Sequence, residues 1–207
     1  MPEVRLSRDG REDARLVKEC RAGEERAFEP LLRKYQDQVY NVVYRMVGDR
    51  EEALDIAQET FIKAFQGLDA FDLKRPFRAW LLRIGTNSAI DLLRRRGRAR
   101  DLGADPAMVG RPGPVVGSGE GEFDPPAPVR EIPENVSLSN ETADAVREAL
   151  ELLPGNYKAV VVLHHMEGLS YTEIGKVMGV PRNTAKTWGR RARGLLCDAL
   201  EGVMSGE

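Results

Sequence analysis

The stretch that most limits the possible folds of this 207-residue chain is GADPAMVGRPGPVVGSGEGEFDPPAPVREIPENV, residues 103–136. Its glycine and proline residues interrupt both helical and strand periodicity, and it contains no apolar stripe. Structureless loops of this length are uncommon inside compact domains. We therefore predict two folded domains, at 1–98 and 140–207, joined by a flexible, acidic linker over residues 99–139.

The N-terminal block has the apolar spacing of helices. We predict helices at about 12–22, 24–47, 50–66 and 77–98. Asp49 is followed three residues later by Glu52, which is the pattern of a capping box at the start of the third helix. The fourth helix, FRAWLLRIGTNSAIDLLRRRGR, follows Pro76. Nothing in this block has the alternation of a strand.

The C-terminal block predicts helices at about 139–153, 156–167, 171–178 and 181–200. Ser170 and Glu173 form a second capping-box pattern, and Gly179 and Val180 provide a turn before Pro181 opens the last helix. A short helix, a glycine turn and a longer basic helix are typical of a helix-turn-helix. The predicted fold class is all-α, with two small helical domains.

The net charge of −2 conceals charged blocks of opposite sign. Residues 49–72 contain seven acidic and two basic side chains, whereas residues 74–100 contain nine basic and one acidic. Residues 181–196 contain five basic side chains and no acidic one. This segregation indicates two kinds of partner, nucleic acid for the basic segments and a protein with a basic surface for the acidic one.

The fourth helix is predicted to have two different faces, one for binding and one for packing in the core. One face is polar, aromatic and basic: Trp80, Arg83, Asn87, Asp91 and Arg94. The other is of core type: Phe77, Leu81, Ile84, Ser88 and Leu92. Bases stack on aromatic rings and arginines neutralise phosphates, so the first face suits strands with unstacked bases. The alternatives are a Trp80 at the edge of the core and arginines that complement the helix dipole.

The third helix is predicted to bury one stripe and expose an acidic face. The apolar stripe consists of Leu54, Ala57, Phe61, Phe65 and Leu68. Asp55, Gln58 and Glu59 share the exposed face, which either docks a protein or is a solubilising surface. In the last helix, one stripe carries Arg182, Lys186, Arg190 and Arg193, with Asn183 and Thr187 beside it. These side chains suit phosphates and base edges in a major groove, whereas Trp188 is predicted to pack inside the domain.

Several other classes of protein are disfavoured. Cys20 and Cys197 lie far apart in the sequence, and neither belongs to a CxxC motif or to a cluster of cysteines and histidines. We therefore expect neither a disulfide framework nor a structural metal site. His164 and His165 lack a nearby nucleophile or metal set, and there is no glycine-rich phosphate loop, so we expect no enzyme and no cofactor. We find neither an apolar run of about 20 residues nor a signal-peptide pattern, which predicts a cytoplasmic protein without membrane insertion.

The segments DREEALDIAQETFIKAFQGLDAF and FRAWLLRIGTNSAIDLLRRR resemble the second conserved region of bacterial sigma factors. The segment LPGNYKAVVVLHHMEGLSYTEIGKVMGVPRNTAKTWGRRARGLL resembles their fourth region. The short linker between them is similar to that of the extracytoplasmic-function class. The resemblance implies a non-enzymatic initiation factor that directs core RNA polymerase to promoters and nucleates melting. The alternative from the residues alone is a stand-alone helix-turn-helix regulator of duplex DNA.

The resemblance also implies roles for individual residues. The polymerase-docking segment corresponds to Asp55, Gln58 and Glu59. The part that captures flipped bases of the minus-ten element corresponds to the loop at about 69–75 and the helix after it, with Lys74, Arg75, Trp80, Arg83, Asn87, Arg94, Arg95 and Arg96. The reader of the duplex minus-thirty-five element corresponds to Arg182, Asn183, Thr184, Lys186, Thr187, Arg190 and Arg191. The acidic linker would thread the polymerase near the RNA path, and an anti-sigma factor is an expected partner.

The last helix departs from the usual family pattern. Asn183 and Ala185 stand where glycine and valine are usual in the family. The family commonly has an apolar residue at the position of Gly189 and often a basic one at the position of Trp188. A mid-helix glycine costs about 1 kcal/mol relative to alanine. We hypothesise that Trp188 fills the volume lost at Ala185 and Gly189.

Overall fold

The computed structural model describes residues 7–100 and 148–204, without the side chains of 98–100 and 201–204. Most of the predicted linker and the first part of the helix predicted at 139–153 lie outside the described residues. The described residues contain helices and turns but no strand, which confirms the all-α prediction. The chain divides into two compact units between Leu92 and Leu93.

The helices follow the predicted order. In the N-terminal part, α1 spans Arg8–Arg21, α2 Phe28–Val47, α3 Arg50–Gln66 and α4 Phe77–Arg100, with 3-10 turns at Glu25–Ala27 and Leu68–Ala70. In the C-terminal part, α5 spans Gly155–His165, α6 Tyr171–Met178 and α7 Arg182–Met204. Residues 148–151 are also helical. No helix within these described ranges is long and apolar enough to cross a membrane.

Local capping explains where the functional helices begin. The Asp49 carboxylate accepts a hydrogen bond from the Glu52 N–H at 2.9 Å, which satisfies a free donor at the start of α3. Ser170 and Glu173 form a reciprocal capping box at the start of α6. Both caps were predicted from the sequence and are confirmed.

The core of the N-terminal unit lies between α2, α3 and α4. Its fully buried side chains include Leu31, Val39, Val42, Val43, Met46, Phe77, Leu81 and Leu82. Gly85 allows α4 to approach closely, because a Cβ there would lie 3.3 Å from Thr60 Oγ1 and 3.5 Å from a Val43 methyl group. The helix packing therefore fixes which face of α4 remains accessible.

Two predicted apolar stripes are partly wrong. In α3, Ala57, Phe61 and the following Leu68 are buried, but Leu54 and Phe65 are exposed. The buried face instead uses Ile56 and three small side chains: Ala53, Thr60 and Ala64. Small residues suffice there because α3 lies close against α2 and α4.

In α4, the core face is rotated relative to the prediction. Phe77 and Leu81 are buried, but Ile84, Ser88 and Leu92 are only half-buried. Buried positions on the rotated face are Leu82, Gly85, Thr86, Ala89 and Ile90. The reason is the close approach at Gly85, which brings that face rather than the more apolar one against α2 and α3.

The helix-turn-helix depends on a close contact between α6 and its following turn. A Cβ on Gly175 would lie 2.7 Å from the Val180 carbonyl oxygen, so a larger residue requires backbone movement. Gly179 has φ 69°, a left-handed conformation that glycine adopts without strain. Together these two glycines allow the tight turn between α6 and α7.

Candidate functional site

The acidic face of α3, defined as Asp55, Gln58 and Glu59, is exposed as predicted. Glu59 forms an exposed i,i+4 ion pair with Lys63 at 2.9 Å, and the Lys63 Nζ also lies 3.3 Å from the Ser88 hydroxyl. An exposed ion pair contributes little to stability. The acidic face is therefore available to a protein partner and is not required to hold the fold.

Two apolar residues beside the acidic face were missed as candidate site residues. Leu54 is 50% exposed and Ile62 is 57% exposed. They lie four residues before and four after Gln58, so they share its side of the helix. Solvent-exposed aliphatic side chains next to charged ones are typical of a protein-binding surface. Their spacing around Gln58 was the available sequence signal.

The loop between α3 and α4 is ordered by Asp72. Its carboxylate accepts a hydrogen bond from the Lys74 N–H at 3.0 Å, and its carbonyl accepts one from the Arg75 N–H at 2.9 Å. The Arg75 guanidinium also lies 3.4 Å from the Asp72 carboxylate. This side-chain turn exposes both predicted basic residues, Lys74 and Arg75, at the start of α4.

Trp80 is half-buried. The two interpretations of Trp80, as a residue at the edge of the core and as a stacking surface for a base, are therefore compatible. The Trp80 ring centroid lies 4.8 Å from that of Phe71 and 5.6 Å from that of Phe77. The ring also leaves little space for a side chain at Gly67, where a Cβ would lie 3.3 Å from Trp80 Cζ2. The ring is thus held by an aromatic cluster while part of it stays accessible.

The other predicted residues of α4 follow Trp80 along the helix. Arg83 and Asn87 are half-buried, at successive turns on the same side. Arg94 and Arg96 are half-buried and Arg95 is exposed, and all three lie beyond the division at Leu92. The loop and the first half of α4 therefore bring together Lys74, Arg75, Trp80, Arg83 and Asn87.

A basic groove lies between the start of α6 and the exposed side of α7. It is lined by Tyr171, Lys186, Thr187, Arg190 and Arg193. Three of these residues belong to the stripe predicted on the last helix and Thr187 was predicted beside it, but Tyr171 was missed. Cationic and hydroxyl groups along an open groove suit the phosphates of a duplex. The sequence signal for Tyr171 was its position directly after the Ser170 cap.

The remaining predicted residues of α7 are not all in this groove. Asn183 is exposed, and Arg182 and Thr184 are half-buried in the first turn. Arg191 is exposed, but its Nη1 lies 3.5 Å from the Tyr157 hydroxyl, on the side that faces α5. The structure therefore separates Arg191 from the basic groove.

The hypothesis that Trp188 fills the volume lost at Gly189 is wrong. A Cβ on Gly189 would lie 2.8 Å from both the Cε1 and the hydroxyl oxygen of Tyr171, so Tyr171 occupies that volume. Trp188 packs elsewhere, with its ring centroid 6.5 Å from that of Tyr157, in a cluster with Leu153 and Ala192. Trp188 is nevertheless a packing residue, as its place on the inner stripe predicted.

Tyr171 is in turn held by His164. Their rings are stacked with centroids 4.4 Å apart, and the His164 Nδ1 lies 2.8 Å from the Leu169 carbonyl oxygen. The neighbouring His165 has a pKa below its usual value, because burial disfavours the charged imidazolium. His164 thus holds the Tyr171 ring in position.

Both parts of the chain match known protein families. The family model for Sigma-70 region 2 matches residues 31–99, and the model for Sigma-70 region 4 matches residues 143–196. The chain is 34% identical to the ECF RNA polymerase sigma factor SigW of Bacillus subtilis, over 87% of this chain and 92% of SigW. It is also 34% identical to the RNA polymerase sigma-H factor of Pseudomonas aeruginosa, over 93% and 96% of the two chains.

Two solved structures have a similar fold. CnrH in complex with the cytosolic domain of CnrY has a TM-score of 0.63 and 27% identity, covering 92% of this chain and 98% of CnrH. The sigma factor RpoE from Bartonella quintana, in complex with the anti-sigma factor NepR, has a TM-score of 0.56 and 22% identity, covering 84% and 96%. At that lower identity the second likeness shows the fold alone.

Proposed function

This chain belongs to the extracytoplasmic-function class of RNA polymerase sigma factors, and we propose that separate surfaces on it bind polymerase and the two promoter elements. A sigma factor directs core RNA polymerase to promoters and nucleates their melting. The alternative of a stand-alone regulator is not favoured, because both parts of the chain match sigma factor regions rather than the helix-turn-helix alone.

The polymerase-docking surface in this proposal is the acidic face of α3 together with Leu54 and Ile62. The observation that carries the assignment is the coexistence of exposed carboxylates and exposed aliphatic side chains on one side of one helix. Desolvated aliphatic groups supply affinity, whereas the carboxylates steer a basic partner surface and fix the register.

The minus-ten surface consists of Lys74, Arg75, Trp80, Arg83 and Asn87. Basic side chains on the loop attract the phosphates of the opened strand, and the accessible part of Trp80 offers a stacking surface for an extruded base. Asn87 supplies an amide with both donor and acceptor groups for a base edge. Arg94, Arg95 and Arg96 extend the positive charge along α4.

The minus-thirty-five surface is the basic groove together with the first turn of α7. Lys186, Thr187 and Arg190 contact phosphates in this proposal, and Arg182, Asn183 and Thr184 approach base edges in the major groove. Arg191 was predicted here as well. Its side chain is exposed and its Nη1 lies 3.5 Å from the Tyr157 hydroxyl, so we place it at the edge of this surface.

The remaining assignments complete the proposal. Domains at 1–98 and 140–207 would flank a linker at 99–139 that passes through the polymerase near the RNA path. The polymerase performs all the chemistry, so the sigma factor needs no catalytic group or cofactor, and it acts in the cytoplasm with the polymerase. A partner protein of the anti-sigma class would inhibit it, and the similar CnrH has itself been solved in complex with another protein, the cytosolic domain of CnrY.

Reconstitution with core polymerase and promoter DNA tests the division of labour. We expect Asp55→Ala/Glu59→Ala to weaken core binding by about tenfold, and Asn87→Ala to preserve core binding but lose about tenfold in open-complex formation. Asp37→Ala, at an exposed acid of α2 outside the proposed docking helix, is the matched control and should do neither. If both test variants transcribe normally, these surfaces do not have the proposed roles.

A further inference from the structure

Arg21, the last residue of α1, reaches across the unit to the start of the minus-ten loop. Its Nε donates a hydrogen bond to the Leu68 carbonyl oxygen at 2.9 Å. Its Nη2 donates to the carbonyl oxygens of both Leu68 and Phe71. The guanidinium therefore satisfies two backbone acceptors at the end of the segment that follows α3, far from Arg21 in the sequence.

The two carbonyl groups are well placed to control the minus-ten surface. Phe71 is the first residue of the loop that contains Lys74 and Arg75. Its ring packs at 4.8 Å from Trp80 and edge-on at 5.6 Å from Phe77. Fixing the backbone at Phe71 thus fixes both the entry to the loop and the aromatic support of Trp80.

The helix that carries Arg21 is itself anchored. Asp13 is only 2% exposed, and its two carboxylate oxygens accept hydrogen bonds from Lys34 Nζ at 2.7 Å and from the Tyr35 hydroxyl at 2.6 Å. The Tyr35 ring lies 5.9 Å from Phe77. Arg21 therefore extends from a helix whose position on α2 is fixed by buried polar contacts.

We propose that Arg21 is a positioning residue for promoter melting. It holds the backbone from Leu68 to Phe71, so that Lys74, Arg75 and Trp80 are already arranged for an extruded base before DNA arrives. Preorganisation of this kind lowers the cost of ordering the loop on binding. The inference rests on the proposed assignment of this loop and Trp80 to the minus-ten element.

The test compares Arg21→Met and Arg21→Lys with Arg15→Met, all in the full-length chain. Arg15 lies on the same helix with an exposed side chain paired to Glu19, which makes it a matched control. Each variant is assayed for core-polymerase affinity, for binding of a single-stranded minus-ten oligonucleotide and for the rate of opening of duplex promoter. The chain has two tryptophans, so a Trp188→Phe background isolates the emission of Trp80.

For Arg21→Met we expect an approximately tenfold loss in oligonucleotide affinity and opening rate, with core affinity within about twofold, at temperatures where the variant stays folded. Trp80 emission should shift to longer wavelength as its support loosens. Arg21→Lys should recover part of the loss, because an ammonium group can still donate to the Leu68 or Phe71 carbonyl. Arg15→Met should behave as wild type in every assay.

Two results would overturn the inference: a wild-type opening rate in Arg21→Met, or equal losses of polymerase and DNA binding that simply follow melting temperature. Asn87→Ala separates this failure from failure of the proposed function. If Asn87→Ala loses opening while Arg21→Met does not, only the role of Arg21 is wrong. If neither loses opening, the minus-ten assignment itself is wrong.

Discussion

The ring of Tyr171 in α6 occupies the space beside Gly189 of α7 that a side chain at 189 would need, because a Cβ on residue 189 would lie 2.8 Å from the tyrosine ring. The ring cannot move away freely, since its other face stacks on His164. An alanine at 189 would gain helix propensity but would require the Tyr171 ring to shift from its place against His164. The glycine that is unfavourable for an isolated helix is thus the residue that this pair of helices requires.

We predict that Gly189→Ala lowers the free energy of unfolding of the C-terminal unit by about 1–3 kcal/mol, the usual cost of overpacking. Gly194→Ala is the control on the same helix, because nothing lies within 4 Å of a Cβ there, and it should be neutral or stabilising by up to about 1 kcal/mol. Chemical denaturation measures both. A second change, Tyr171→Leu, should relieve the strain, and equal stabilities of the two alanine variants would contradict the clash.

Trp188→Ala should destabilise the C-terminal unit by about 3 kcal/mol, since it removes a large ring from the cluster with Leu153 and Tyr157. Trp188→Phe should lose less. Melting followed by circular dichroism checks the stability, and anisotropy with minus-thirty-five duplex checks binding. An unchanged melting temperature with weakened DNA binding would instead make Trp188 a DNA contact.

Ile62→Ala should change stability by no more than about 0.5 kcal/mol, because the side chain is mostly exposed. It should weaken core-polymerase binding by about 1–2 kcal/mol if the aliphatic groups beside the acidic face are desolvated there. Ile56→Ala, at a buried position of the same helix, should cost about 2–5 kcal/mol of stability. Unaltered polymerase affinity in Ile62→Ala would remove Ile62 from the docking surface.

Lys186→Ala and Asn183→Ala should have different signatures in holoenzyme binding to promoter DNA. Losing the Lys186 phosphate contact should reduce the slope of log affinity against log salt by about 0.9, equally for all upstream sequences. Losing Asn183 should cost about 1–3 kcal/mol on the preferred upstream element and little on a scrambled one. A salt titration of both variants on both DNA sequences checks this. If Lys186→Ala lost affinity only on the preferred element and Asn183→Ala changed the salt slope, the two assignments would be wrong.

The stability of the C-terminal unit should increase as the pH is raised towards 10.5, because the buried Lys158 then loses its charge. Lys158 is 4% exposed, and burial lowers the pKa of its ammonium group below the usual 10.5. Between that lowered pKa and 10.5 the unfolded chain binds more protons than the folded one, so stability rises with pH across this window. Lys158→Met should therefore be more stable than wild type at neutral pH, and its advantage should shrink towards pH 10.5.

Denaturation monitored by Trp188 fluorescence in a Trp80→Phe background measures this difference. Lys176→Met, at an exposed lysine of α6, is the control for replacing an ammonium group by a thioether on the surface. A constant advantage of Lys158→Met from neutral pH to pH 10.5 would mean that packing, and not charge burial, explains it.

Features with a local cause were predictable from the sequence. The caps at Asp49 and Ser170 need only a side chain and the N–H group three residues later, so their pattern was sufficient. The order of helices and the exposure of the acidic face followed from periodicity in the same way. Such interactions are contained within one turn of chain.

Features that depend on a second element were not predictable. Periodicity treated Leu54 and Phe65 as core residues, because it cannot distinguish an apolar residue that packs inside from one that remains exposed for a partner. Gly189 was read as a helix defect because its neighbour Tyr171 comes from another helix. The Arg21 contacts join residues 47 and 50 positions apart and have no sequence pattern.

The long reach of Arg21 has a consequence for synthesis. Asp13 meets Lys34 and Tyr35 after 21 and 22 further residues, whereas the acceptors of Arg21 emerge 47 and 50 residues after it. A ribosome delivers the chain in order, so the partners of Asp13 on α2 emerge before the carbonyl groups that Arg21 binds. The newborn protein would therefore acquire a folded first hairpin some time before it becomes competent to open DNA.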